Sequence, residues 1–312
     1  MDPVTHTLFG MAIGEAVFRP RLGRRAVTVS AWAANLPDID VLVLLTQDPA
    51  AIVLRRSLGH SLILLPLWIA GLSWIFKKKY PDMEYRDLLM IIGLNAAGHL
   101  LFDLINSFGV QLFWPFSLMR PELAIIFILD IVLTGILAAP HLTRLSKTWR
   151  PKLTAASRAA LAVVGIYLLG AFASRARALT LLARAEGGGG FQYAFPEPLG
   201  AHRWRGVVKD KGLWRVYLID VPRGTTEKRL TLSNDEDTPP ALAARRTPLG
   251  ERLDYFFKAP VWTTAPRPQG GWTATTYDLR FTTLLHSRAV PFLFTFDVDP
   301  AGGAIPRGTK IW

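Results

Sequence analysis

The sequence predicts a polytopic α-helical membrane domain, with about five spans and a half-span N-terminal segment, followed by a small, mainly β extramembrane domain. Three observations carry this reading. Long apolar runs crowd the first 175 positions, and basic residues collect between them. Beyond Gly187–Gly190 the pattern changes to short alternating runs rich in Trp, Tyr, Phe, Val and Thr.

In chain order, Thr7–Phe18 is apolar but only about half a span long. Stretches 26–46, 60–76, 87–106, 122–140 and 157–175 each suffice, or nearly so, to cross a bilayer. Arg19, Arg21, Arg24 and Arg25 precede the first of them. Lys77, Lys78, Lys79 and Arg86 separate the second from the third, and Arg144, Lys147, Arg150, Lys152 and Arg158 the fourth from the fifth. Placing these loops in the cytoplasm satisfies the positive-inside rule. It puts 47–59, 107–121 and the tail outside, with Trp114 and Phe116 at the interface. Arg55, Arg56, Arg175 and Arg177 count against that orientation. The expected organisation is a helical metal-site domain over 1–186, a Gly linker at 187–190 and an extracytoplasmic β domain over 191–312.

The chain of 312 residues is 50% apolar and carries a net charge of +12, spread without a basic run. That distribution fits loops facing anionic lipid rather than a nucleic-acid footprint. Without cysteine there is no thiolate zinc site, disulfide or cysteine nucleophile. Met1-Asp2-Pro3 has no basic n-region, so a cleaved signal peptide is not expected.

His6, Asp38, Asp40, His60, His99 and Asp103 lie within this apolar half. A charged side chain at the bilayer centre costs roughly 2.5–3.5 kcal/mol on insertion scales, so such groups are paired, coordinated or functional. Pro37 interrupts an apolar run and predicts a broken helix, with Asp38 and Asp40 beside the first turn of its second half. Residues two apart do not share a helix face, so both aspartates reach one centre only through irregular backbone. The alternative is an acidic helix N-terminus that favours the dipole. His99 and Asp103, at i and i+4, share a face and make a ligand pair for zinc, iron or manganese. A His–Asp hydrogen bond within the packing is the equal alternative. Gly59-His60-Ser61 and His6 are weaker signals, and no Gly-x-Ser-x-Gly elbow surrounds Ser61. Asp130, inside the fourth stretch, needs a partner and is a supporting or ligand candidate. Asn234-Asp235-Glu236-Asp237 reads as a solvated loop, and His141, His202 and His286 receive no role.

Taken in order, Asp2-Pro3-Val4-Thr5-His6, Leu36-Pro37-Asp38-Ile39-Asp40, Gly59-His60-Ser61-Leu62, Gly98-His99 through Asp103 and Ser107 through Phe116 resemble the YdjM-like inner-membrane metal-dependent hydrolases. The resemblance is close over about residues 1–135. Its site pattern is similar to that of the zinc-dependent phospholipase C and P1 nuclease group. That implies His6, Asp38, Asp40, His60, His99 and Asp103 as ligands of one to three divalent ions, zinc first. Where some members carry a histidine five residues before the one matching His60, this chain has Arg55. Arg55 or Arg56 can instead hold a substrate phosphate.

The expectation is therefore a multi-pass inner-membrane hydrolase cleaving a phosphoester of a lipid or lipid-linked substrate. Asp40 is the favoured proton acceptor for a metal-activated water. No nucleic-acid partner is expected, and no protein partner is specified. The alternative is a non-catalytic membrane protein whose His/Asp cluster binds or conducts a metal ion or proton. A membrane metalloprotease is disfavoured because no His-Glu-x-x-His occurs.

Overall fold

Asp2 starts the first helix by accepting the Thr5 amide at 2.9 Å, and Pro3 occupies the first helical turn, where a missing N–H costs nothing. A computed structural model describes residues 1–46, 48, 50–145, 148, 150–187, 190–284 and 290–310. The chain forms two units by its contacts. The first comprises Met1–Leu42, Arg55–Ala173 and Pro198–Ala201; the second comprises Val43–Leu54, Ser174–Glu197 and His202–Trp312.

Helix α1 (Pro3–Ile13) continues through a π-helical stretch, Gly14–Phe18, into the short α2 (Arg19–Leu22). Gly23, at φ 73°, turns the chain into α3 (Arg24–Ala33). Helices α1 and α3 meet through two glycines four apart. A Cβ on Gly10 would lie 2.5 Å from the Ser30 carbonyl oxygen, and one on Gly14 would lie 2.7 Å from the Val27 Cα. This is the small-xxx-small contact that lets helices approach closely where no hydrophobic force distinguishes helix from lipid.

Helix α3 ends at Ala33, and a 3₁₀ segment, Leu36–Thr46, follows across Pro37, so the expected break is present. After α4 (Ala51–Leu54) come α5 (Leu65–Lys79), α6 (Tyr85–Ile105), α7 (Ile131–Ala138) and α8 (Leu153–Glu186). Among the described residues, three helical stretches are long and apolar enough to cross a membrane: Arg24–Thr46, Tyr85–Ile105 and Leu153–Glu186. A shorter apolar one covers Ile131–Thr143. The expected count of about five is not reproduced, for reasons of length. Helix α5 has 15 residues, about 22 Å against a hydrocarbon core of about 30 Å. The 122–140 run is divided: Leu123 and Ile125 extend along the end of α6, their amides on the Leu104 and Ile105 carbonyls at 2.8 Å, and helix begins only after Asp130.

Among the described residues, two apolar clusters lie in the first unit. One joins Phe102, Ile105, Ile125, Ile126, Leu133 and Val164; the other joins Phe18, Val29, Ala33, Leu88, Ile91 and Ile92.

In the second unit, β1 (Phe191–Pro196), β2 (Arg203–Asp210), β3 (Leu213–Asp220) and β4 (Thr225–Ser233) form one antiparallel meander. Helices α9 (Pro239–Arg245) and α10 (Pro248–Phe256) lead to a second, of β5 (Pro260–Pro266), β6 (Trp272–Asp278), β7 (Leu293–Val298) and β8 (Ala304–Lys310). Lys211 and Gly212, both at positive φ, make the two-residue turn between β2 and β3. Phe195, Val207, Trp214, Val216, Val261 and Leu279 form a core shared by the two sheets. The acidic loop is structural: Asn234 and Asp235 accept the Trp262 and Thr264 amides at 2.7 and 2.8 Å. A buried charge network accompanies the core. Arg205 meets Glu197 at 3.2 Å, and Arg280 meets Asp278 at 3.2 Å. Burial pulls the Arg205 guanidinium below its usual pKa, against the field of Glu197.

Candidate metal centre

The site is assembled within the first unit from three segments. The break after α3 supplies Asp38 and Asp40, the turn before α5 supplies Arg56 and His60, and α6 supplies His99 and Asp103. Asp38, His60, His99 and Asp103 each offer a ligand atom, and these atoms all lie within 4.8 Å of one another. His60, His99 and Asp103 are fully buried.

Hydrogen bonding fixes what these atoms can do. The His99 Nδ1–H donates to the Ala34 carbonyl at 2.6 Å, because a carbonyl oxygen only accepts. The His60 Nδ1–H donates to Asp40 at 3.0 Å. Both rings therefore turn an Nε2 lone pair inward, and these two nitrogens stand 3.1 Å apart. An Asp103 oxygen lies 3.0 Å from the His60 Nε2 and 3.5 Å from the His99 Nε2. Both carboxylate oxygens of Asp38 are buried without a hydrogen-bond donor. Acceptor atoms converging in this way repel one another unless a cation lies among them. Imidazole and carboxylate donors with carbonyl and carboxylate partners behind them are the makings of a divalent metal site.

The other expected residues take different places. Asp40 lies behind His60: its oxygens accept the Ser57 amide at 2.8 Å, the Gly59 amide at 2.7 Å and the His60 ring. His6 stacks on His99 with ring centroids 3.7 Å apart, its Nε2 3.3 Å from Asp103 and its Nδ1 without a partner. Arg56 is buried, its Nε 2.9 Å from Asp103 and its Nη1 donating to Asn106 at 2.9 Å, and the Met1 ammonium also pairs with Asp103. Arg55 is partly exposed and reaches within 3.5 Å of Asp38. Asp130 caps α7 by accepting the Leu133 amide at 2.9 Å and receives the Tyr167 hydroxyl at 2.7 Å. His286, which the sequence reading gives no role, lies outside the described residues.

Sequence reasoning did not single out Asn106 or Ala34, and it read the loop after α6 as interfacial and part of the family resemblance without giving it a place at the site. That loop runs beside the site: the Leu62 amide bonds the Leu112 carbonyl and the Gln111 amide the Arg56 carbonyl, each at 2.9 Å. Ser61 Oγ donates to the Trp114 carbonyl at 2.5 Å, so Ser61 is a structural link to this loop. The loop exposes Phe113, Phe116, Leu118 and Met119.

An apolar multi-helix unit enclosing a His/Asp group able to hold a metal ion defines an integral membrane protein with a candidate metal centre. The chain belongs to the family described as YdjM inner membrane protein, which matches residues 1–178. The match contains every candidate ligand and stops short of β1. The chain is also similar to YfhP, an uncharacterized protein of Bacillus subtilis (strain 168), at 29% identity over 124 residues. That alignment covers 38% of each chain, well under two thirds of the relative. No solved structure matches.

Proposed function

We propose that the protein is a metal-dependent hydrolase of the inner membrane, acting on a phosphoester of a lipid or lipid-linked substrate. The observation that carries this is the convergence of inward Nε2 lone pairs and of an Asp38 carboxylate that no donor satisfies. Asp38, His60, His99 and Asp103 would hold the ion, and a mixed imidazole and carboxylate set favours zinc over calcium or magnesium. A bound divalent ion supplies a water of lowered pKa and polarises the ester oxygen. Asp38 has acceptor capacity left for a proton, whereas the oxygens of Asp40 are committed to Ser57, Gly59 and His60. Arg55, beside Asp38 and partly exposed, is placed to meet a phosphate, while Arg56 is engaged with Asp103. The exposed apolar loop bordering the site supports a substrate with acyl chains, and the basic loops of the helical half favour an extracytoplasmic β-rich unit.

The test is elemental analysis of detergent-purified protein, followed by a screen of lipid phosphoesters with and without chelator. Bound metal together with chelator-sensitive release of phosphate or a phosphorylated headgroup is expected. Full hydrolysis with no metal present refutes the mechanism. A second reading, a non-catalytic centre that binds metal or protons, is favoured by the contacts Asp103 already makes with Arg56, Met1 and Asn106. Stoichiometric metal without turnover on any lipid phosphoester would select it.

A further inference from the structure

Beyond the metal centre, the structure points to a second binding site, at the other end of α3. The metal centre hangs from Ala34, whereas Arg24 begins α3, about 15 Å away along the helix axis. There a cavity of about 390 Å³ is lined by Met11, Glu15, Arg19, Arg24, Val27 and Trp32, with Leu153 from the start of α8.

The charges at this end are almost all accounted for. Arg19 pairs with Glu15, Arg21 with Asp87 and Arg25 with Asp82. Arg24 has no acidic partner among the described residues, and it lines the cavity. With Glu15 offset by Arg19, the lining is left with one uncompensated positive charge. Arg24, Thr28, Ala31 and Trp32 follow helical spacing down one face of α3. Trp32 is 65% exposed and lies about 12 Å deeper along the axis than Arg24. Val27, on α3 itself, and Met11, from α1, add apolar lining. An exposed cation and apolar side chains lining one cavity suit an anionic headgroup with its acyl chain. The π-helical turn holding Glu15 widens α1 at this point, a distortion that often marks a functional position.

We propose that this cavity binds one anionic phospholipid, with the phosphate on Arg24 and an acyl chain against Trp32. The experiment is native mass spectrometry of the full chain in detergent, titrated with phosphatidylglycerol or phosphatidylcholine. Wild type should retain phosphatidylglycerol preferentially. Arg24→Gln should weaken that retention by about fivefold, the ratio one basic side chain is worth at an anionic lipid surface. Arg24→Lys should keep most of it, and Arg25→Gln, whose arginine pairs elsewhere, should leave it unchanged. Circular dichroism of each variant verifies the fold. Equal retention of the two lipids, or equal losses in Arg24→Gln and Arg25→Gln, would overturn the proposal. So would displacement of the lipid by an equimolar amount of glycerol 3-phosphate, which carries the anion without the chain.

Discussion

Asp38→Asn separates a metal ligand from a member of a hydrogen-bonded network, because the two roles predict opposite changes. The wild-type carboxylate has two buried oxygens without a donor, and Arg55 approaches one of them to 3.5 Å. Partners one step removed from a metal change its affinity by about 10–100-fold when lost, so a direct ligand sets at least the upper figure. A hundredfold loss is about 2.7 kcal/mol. Measured as zinc retained after dialysis against buffered free metal, Asp38→Asn should therefore bind about a hundredfold more weakly or worse. In chelator the order of stability reverses. The amide no longer places an unsatisfied charge in the interior, so the variant should unfold no earlier than wild type. The gain should be about 1 kcal/mol, the low end for an unpaired buried group because Arg55 is near. Thermal unfolding in detergent, with and without chelator, reads both effects. A variant with undiminished metal affinity refutes the assignment, as does a wild-type protein whose unfolding ignores chelator.

Asp40→Asn weakens the acceptor behind the His60 Nδ1–H, so metal affinity should fall by about 10–100-fold in the same dialysis assay, with the fold kept. Asp130→Ala removes a helix cap and should cost about 1 kcal/mol in thermal unfolding without changing metal content; lost metal would connect it to the site. Gly14→Val drives a side chain against the Val27 backbone and should destabilise the first unit by about 1–3 kcal/mol or more, seen as earlier heat aggregation in detergent. Asp278→Ala leaves the fully buried Arg280 without its carboxylate and should cost about 3–5 kcal/mol, read as proteolytic sensitivity of the β-rich unit.

What could be read in the sequence was local. Pro37 announces the break after α3, and the i, i+4 spacing of His99 and Asp103 announces one face of α6. The change of periodicity after the glycine run announces the two antiparallel sheets. What stayed hidden depends on partners distant along the chain. Nothing local tells that Asp40 faces the Ser57 and Gly59 amides rather than the cluster, or that Arg56 turns inward to Asp103. The span count of about five is not confirmed, because hydropathy measures apolar character, and buried non-helical backbone shares it. Leu123–Ile126 is wholly apolar yet non-helical, hydrogen-bonded along the end of α6. The helix-packing contacts of Gly10 and Gly14 are invisible to any scale that scores side chains.

Gly59 gives the site a vulnerability that its ligands do not reveal. A Cβ at this position would sit 2.1 Å from the Pro37 carbonyl oxygen, so the turn carrying His60 lies directly on the backbone that leads into Asp38. The distance between two candidate ligands is thus gauged by the bare thickness of two main chains. A mutation as small as glycine to alanine would act there as a wedge, moving His60 and Asp38 apart while leaving every donor atom chemically intact. Variation at this one residue is therefore a sensitive diagnostic of whether a related chain still keeps its centre in working order.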